Sequence, residues 1–332
     1  MKHSFTWVFL SLVMVSDAAS AAEKFSFTEP HMGTRFQIVL YAPEEATAKT
    51  AARAAFARIA ELDGIMSDYR ASSELNRLCE KAGGPPVKVS DDLFNVLQKA
   101  QEVAKLSDGA FDVTISPVVR LWRIARRTQQ LPEKETLAKA LALVGWQNIK
   151  LDLGQRTVQL LKPGMQLDLG GIAKGYTADQ VLLVLQKHGV ASALVAAGGD
   201  IAVSDAPPGA KGWKVGIQPL ERDNPSQYLL LKNAAVSTSG DLEQYVEIDG
   251  KRYSHIVDPK TGLGLVGRMS VTVVAPHGLT SDPMTKTACV LGAEKGLALI
   301  EAAGLAGLTV ERHQRGDATR ESKRFKDFEW RE

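Results

Sequence analysis

The nonapeptide Asp168-Leu169-Gly170-Gly171-Ile172-Ala173-Lys174-Gly175-Tyr176 constrains the fold more than any other stretch. An apolar lead-in, Met165 to Leu169, meets two adjacent glycines, and Ala173, Tyr176, Val181 and Leu185 then recur at helical spacing. The pattern predicts a short strand that turns tightly into a helix. Such a turn aims backbone N–H groups and a positive helix end at one point, which suits an anion such as phosphate. Two common phosphate folds are excluded by spacing. A dinucleotide fingerprint needs glycine where Ile172 stands, and a P-loop needs Lys-Ser/Thr where Tyr176-Thr177 follow Gly175. By itself the stretch is either a phosphate turn or a glycine-turned helix start with a solvated lysine.

The remaining pattern reads as α+β, with mixed or antiparallel sheets and interleaved helices. Phe36–Tyr41 alternates apolar and polar residues as a strand does, and Pro43–Met66 carries Ala48, Ala52, Ala55, Ile59, Leu62 and Met66 on one helical face. Ser90 is placed to cap a helix running through Leu106, and a second helical region covers about Glu133–Val144. Short strands are expected near Val158 and Leu167, at Ala193–Ala197, Trp213–Ile217, Tyr228–Leu231 and Ser270–Ala275. Asp249-Gly250 between Val246–Ile248 and Arg252-Tyr253 is a strong hairpin signal, against a purely parallel sheet. Ser281-Asp282 is placed to cap a helix into Val290, followed by a helix at Glu294–Ala303. The last twenty residues are charged and weakly patterned, and Arg120–Arg127 reads as a solvated helix face.

Lys2 and His3 precede an apolar run, Phe5 to Val15, and Ala19-Ser20-Ala21 fits a cleavage pattern. Residues 1–21 therefore read as a signal peptide and residues 22–332 as a single domain, exported to the periplasm and soluble. No cysteine near the cleavage point offers a lipid anchor. A net charge of +2 implies no nucleic-acid field. The two cysteines, Cys79 and Cys289, make no disulfide framework and are expected to stay unbridged.

Six stretches carry chemistry together: His31-Met32-Gly33-Thr34; Met66 to Arg70 with Ser73-Glu74-Leu75; Gly109 to Asp112; Asp168 to Tyr176; Ser254 to Gly262; and Ser281 to Lys286. Each is weak alone. In this order and spacing, from about Phe27 to Leu308, they resemble the ApbE family, the FAD:protein FMN transferases. The resemblance implies an ApbE-like, T-fold-like architecture. It implies FAD as substrate, magnesium as cofactor, and transfer of FMN to a Ser or Thr hydroxyl of an acceptor flavoprotein with release of AMP. The acceptor expected is a membrane-bound or exported redox subunit.

The resemblance also implies roles. His255, in Ser254-His255-Ile256-Val257-Asp258-Pro259-Lys260-Thr261-Gly262, lies at the reacting phosphate as general base or as a positioning group. Asp282 and the Gly171 carbonyl are magnesium ligands. Many relatives carry Thr four residues after this Asp; here Lys286 stands there, and an ammonium has no lone pair for a metal. Thr285 is the nearest substitute hydroxyl, and Lys286 is expected to neutralise phosphate directly. Met32, Tyr69, Ala110, Phe111, Asp112, Asp168, Lys174 and Ile256 fall at the FAD site. Tyr69 offers a ring for stacking, Asp112 a carboxylate to the nucleotide, Asp168 a contact to ribose, ribityl or ring N–H, and Lys174 a charge for the pyrophosphate. Core packing is the competing reading for Met32, Phe111 and Ile256. Two other functions stay open: hydrolysis of FAD to FMN and AMP, and non-catalytic periplasmic FAD binding.

Overall fold

The computed structural model describes residues 22–217, 220, 227–240 and 244–331. The expected signal segment, 1–21, lies outside the described residues. The frame is one sheet of eight strands: Glu23–His31, Thr34–Ala42, Ala193–Ala197, Asp200–Val203, Ala234–Gly240, Arg268–Ala275, Ala306–His313 and Gly316–Glu321. They lie side by side in chain order, and every neighbouring pair is antiparallel. A sheet that only meanders needs no crossover, so its helices enter as insertions between neighbouring strands. Three smaller sheets are antiparallel as well.

The helices Glu45–Met66, Ala173–Lys187 and Gly278–Leu291 cover one face. Phe36, Ile38 and Leu40 project from the sheet onto Ala48, Ala52, Ala55 and Ile59, with Ala178, Val181 and Leu185 beside them. The alanines let the helix lie close to the sheet, as their spacing predicts. The other face is closed by the hairpin Trp213–Ile217/Gln227–Leu231 and by Phe325, which bury Val236, Val274 and Leu308. A side layer packs the helix Ser116–Thr128, through Val118, Trp122 and Ala125, on the sheet Tyr245–Ile248/Lys251–Val257/Gly264–Val266. No described helix is long and apolar enough to cross a membrane. Neither cysteine is in a disulfide, and both are buried.

Several expectations need correction. Met165–Leu169 forms no strand and joins no sheet; its contacts include Asp168 N–H to the Val113 carbonyl at 2.8 Å. Ser237 to Gly240, whose small polar residues resemble a turn, belongs to the strand Ala234–Gly240 in mid-sheet. Its small polar side chains face a helix that answers them with hydroxyls: Ser237 meets Ser281 at 2.8 Å and Ser239 meets Thr285 at 2.6 Å. The C-terminal part includes two strands and a short 3₁₀ turn whose Phe325 is buried. The Arg120–Arg127 cluster does lie on a helix, but the same helix buries Trp122.

The helix Gly278–Leu291 starts three residues before Ser281. Its cap is supplied from another helix: the Asp179 carboxylate accepts from Gly278 N–H at 2.8 Å and Leu279 N–H at 2.9 Å. Burial holds the Asp179 carboxyl above its usual range, against the pull of those two N–H groups. The two helices cross backbone to backbone. A Cβ on Gly175 would lie 2.1 Å from the Gly278 oxygen, and one on Gly278 would lie 2.4 Å from the Gly175 oxygen. Gly278→Ala is accordingly expected to destabilise the fold by about 1–3 kcal/mol, the cost of overpacking a closed contact. Urea unfolding checks this; an unchanged midpoint would show that the helices part freely.

Candidate functional site

The glycine crossing sets the site. It brings the start of the Ala173–Lys187 helix against Asp282, so that Gly175 N–H donates to Asp282 Oδ2 at 3.0 Å. Lys174, one residue earlier, reaches Asp200 Oδ2 at 2.5 Å and lies 3.9 Å from Asp282 Oδ2. Lys286, one helical turn after Asp282, pairs with Asp282 Oδ1. Two carboxylates and two ammoniums thus interlock below the Gly170-Gly171 turn. Asp282 is fully buried and Asp200 has 3% of its side chain exposed. Burial alone would raise the Asp200 carboxyl; Lys174, with Lys286 behind it, outweighs burial and holds it below the usual range. Burial alone would likewise lower the Lys174 ammonium, yet Asp200 and Asp282 hold it above its ordinary value.

Gly171 is packed against this cluster. A Cβ there would lie 3.2 Å from Phe111 Cε2 and 3.6 Å from Lys286 Cγ. Phe111 and Ile256 are buried in the same core as Leu169 and Ile172. Asp112 is turned inward: its carboxylate accepts from Thr114 N–H at 2.8 Å, Thr114 Oγ1 at 2.6 Å and Trp146 N–H at 2.8 Å. Its carboxylate therefore ties the end of the Ala110–Phe111 stretch to Thr114 and Trp146. Ala110 itself is buried at the same turn.

A second corner forms around Arg123. Its guanidinium donates to Asp68 Oδ2 at 2.6 Å and to Asp168 Oδ2 at 3.1 Å, and lies 4.3 Å from the centre of the Tyr69 ring. Asp168 Oδ1 accepts from Gly170 N–H at 2.8 Å, so this acid also fixes the glycine turn. Burial, with Asp68 as a like-charged neighbour, raises the Asp168 carboxyl above its usual range. Tyr69 is 77% exposed, an open ring face beside fixed charges. Met32 sits at the two-residue hairpin tip, where Met32 and Gly33 both have positive φ, 48° and 70°, as such tight turns require. Its sulfur accepts from Thr177 Oγ1 at 3.6 Å, which ties the tip to the Ala173 helix.

His255 lies on the strand Lys251–Val257. Its Nδ1 faces the Gln244 carbonyl at 3.0 Å, and a carbonyl can only accept, so Nδ1 carries the hydrogen and Nε2 keeps its lone pair. Burial pushes the imidazole down to about 4, with Lys286, Arg126 and Lys174 acting in the same direction against the Gln244 contact. The neutral form therefore persists well below pH 6. The following loop is held by Asp258, which accepts from Lys260 N–H at 2.8 Å and Thr261 Oγ1 at 3.0 Å.

The metal expectation fares differently. Asp282 has one oxygen on Lys286 and the other on Gly175 N–H. Thr285 is fully buried, donating to the Asp282 carbonyl at 2.7 Å and meeting Ser239 at 2.6 Å. Among the described residues no three or more His, Cys, Asp or Glu side chains converge as a metal site. Asp200 Oδ1 is a buried oxygen without a hydrogen-bond partner, but one such oxygen is far from the octahedral shell magnesium demands. The donor set does not fit a dication, because an ammonium already stands at Asp282.

Sequence reasoning missed three contributors. Asp200 follows Gly198-Gly199, Asp68 lies inside the Met66–Arg70 stretch, and Arg123 sits among the arginines of Arg120–Arg127. A lone acid beginning a strand after two glycines is the one signal that marks Asp200.

The architecture is an antiparallel meander that carries a charge-paired glycine turn on its helical face. The structure is similar to the flavin transferase ApbE from Vibrio cholerae, with a TM-score of 0.84 and 31% identity, covering 92% of this chain and 99% of that one. The sequence is 34% identical over 279 residues to an FAD:protein FMN transferase from Klebsiella pneumoniae, spanning 83% of this chain and 85% of that protein. It is 32% identical over 324 residues to one from Vibrio cholerae, spanning 96% of each. Residues 32–309 match the ApbE family. The chain belongs to the ApbE family.

Proposed function

We propose that this chain transfers the FMN half of FAD to a Ser or Thr hydroxyl of an acceptor flavoprotein and releases AMP. The observation that carries the reading is the neutral His255, its tautomer set by Gln244, in the field of two lysines that are themselves held by buried carboxylates. Similarity to proteins named FAD:protein FMN transferase, along most of their length, supports it.

The acceptor oxygen attacks the phosphorus of the FMN half. Its proton passes to His255 Nε2, a new O–P bond forms, and the bridging P–O bond breaks. AMP leaves with that electron pair and is the final acceptor of the proton. In such transfers, placing the reactants and neutralising phosphate charge supply most of the rate. Lys174 and Lys286 supply charge here. Asp168, held by Arg123 and Gly170 N–H, and the open ring of Tyr69 suit the flavin or adenine end. Met32, Ala110, Phe111 and Ile256 shape the wall between. Asp112, by building the Ala110–Phe111 loop, positions it. Magnesium at Gly171, Asp282 and Thr285 is the sequence expectation, and no step above is routed through it.

Incubation with FAD and a candidate acceptor domain, read by intact mass, tests the reading. A gain of one FMN supports it, and free FMN without labelling would replace it with hydrolysis. A redox subunit outside the cytoplasm is the acceptor we propose, consistent with the basic and apolar pattern of residues 2–21; a mature N-terminus near Ala22 checks export. The pH profile supplies a further test. A base with a pKa near 4 is unprotonated above that value and lost only below it. The acid limb of kcat/KM is expected near pH 4 rather than at the ordinary histidine value of about 6.5.

A further inference from the structure

We propose that the Lys286 ammonium takes the place of a divalent cation at Asp282, so that flavin transfer by this chain has no divalent-metal requirement. The proposal rests on the transferase reading above. A metal ion at a phosphoryl-transfer site does one electrostatic task, which is to bridge a protein carboxylate and the phosphate oxygens. Lys286 is placed for that task. It rises one turn after Asp282, its stem runs past Gly171, and its charge meets Asp282 Oδ1. The ammonium carries three donors, so it can hold the carboxylate and still offer N–H to phosphate. With 17% of its side chain exposed, it is the open end of an otherwise closed pair.

The surroundings are built for an ammonium. Asp282 Oδ2 is engaged by Gly175 N–H, and Lys174 lies 3.9 Å away. Asp200 balances Lys174. Among the described residues the Asp200 and Asp282 carboxylates are each matched by an ammonium, which weakens their pull on a dication, and magnesium dehydrates reluctantly. Thr285, the substitute hydroxyl expected from the sequence, points into the sheet at Ser239. A dication would have to displace Lys286 from a fully buried carboxylate, and among the described residues Asp200 Oδ1 is the further carboxylate oxygen there without a hydrogen-bond partner, so waters and phosphate oxygens would fill most of its shell.

The test uses the full mature chain. FMN transfer to acceptor, by intact mass, and AMP release are measured in EDTA and in magnesium, and magnesium is titrated into the protein by calorimetry. The expected result is an unchanged transfer rate in EDTA and no heat of magnesium binding. In Lys286→Thr, a hydroxyl replaces the ammonium one turn after Asp282. That variant is expected to bind magnesium and to lose about 10²-fold in EDTA, restored by the metal. Wild-type transfer abolished by EDTA and restored by magnesium would overturn the proposal, as would magnesium binding that Asp282→Asn removes. If neither condition gives labelling, the transferase reading fails, yet calorimetry on the wild type still decides whether Asp282 takes a metal. Thermal melting shows whether Lys286→Thr is folded; the wild-type arms stand without it.

Discussion

A His255→Asn variant is expected to keep FAD binding and to lose about 10²–10⁴-fold in FMN transfer, the usual contribution of a positioned base. Asparagine is chosen because its amide can still donate to the Gln244 carbonyl, as Nδ1 does at 3.0 Å. The strand and the loop that follows should therefore stay in place. What disappears is the Nε2 lone pair. Flavin fluorescence reads binding and intact mass reads transfer, so the two effects separate. A loss confined to binding would make His255 a wall of the pocket. A full rate in the variant would remove it from the chemistry. The depressed pKa leaves the imidazole in its accepting form at neutral pH, with no prior loss of a proton needed.

Lys174→Met should be the most destabilising single change at the site, at about 3–5 kcal/mol, because it strands a buried carboxylate. Asp200 keeps 3% of its side chain in contact with solvent, and Lys174 is its hydrogen-bonded partner. The pH dependence should reverse as well. In the native chain the Asp200 carboxyl is held below its usual value, so its stabilisation is present above the ordinary carboxylate range and fades as pH falls through the depressed value. Without Lys174, burial lifts the folded value above the unfolded one. The destabilisation then grows as pH rises past the ordinary carboxylate range. Lys174→Met combined with Asp200→Asn should recover much of the stability but none of the charge offered to pyrophosphate. Urea unfolding at several pH values, alongside transfer assays, checks this. A single variant as stable as the native chain would show that Lys286 alone compensates Asp200.

How much of this was legible in the sequence depended on whether an element's partner was local. The helices Glu45–Met66 and Asp91–Leu106 write one buried face into their own periodicity, and Ser90 caps the second through Leu93 N–H. Both were readable. The strand Ala234–Gly240 was not, because its serines look like a turn until Ser281 and Thr285 arrive from more than forty residues away. Asp282, with Ser281, looks like a cap for the same reason. Its neighbours resemble a helix start, while the real cap, Asp179, lies 100 residues from Leu279. At the site, the six motifs located Lys174, Asp282, Lys286 and His255. They did not reveal that the positive charges come in pairs with Asp200 and Asp282, since ion pairing between distant segments leaves no trace in spacing. Arg123 was hidden by composition, one arginine among several on a helix whose other face is buried.

The two helices that cross at Gly175 and Gly278 each hold the start of the other: Asp179 receives N–H groups from the Gly278 helix, and Asp282 receives one from the Ala173 helix. Neither first turn can fray without releasing a carboxylate that the other depends on. The amides of both turns should therefore exchange with solvent as one cooperative unit. The end of the site around Lys174 and Asp282 would then behave as a single rigid piece that opens completely or stays shut.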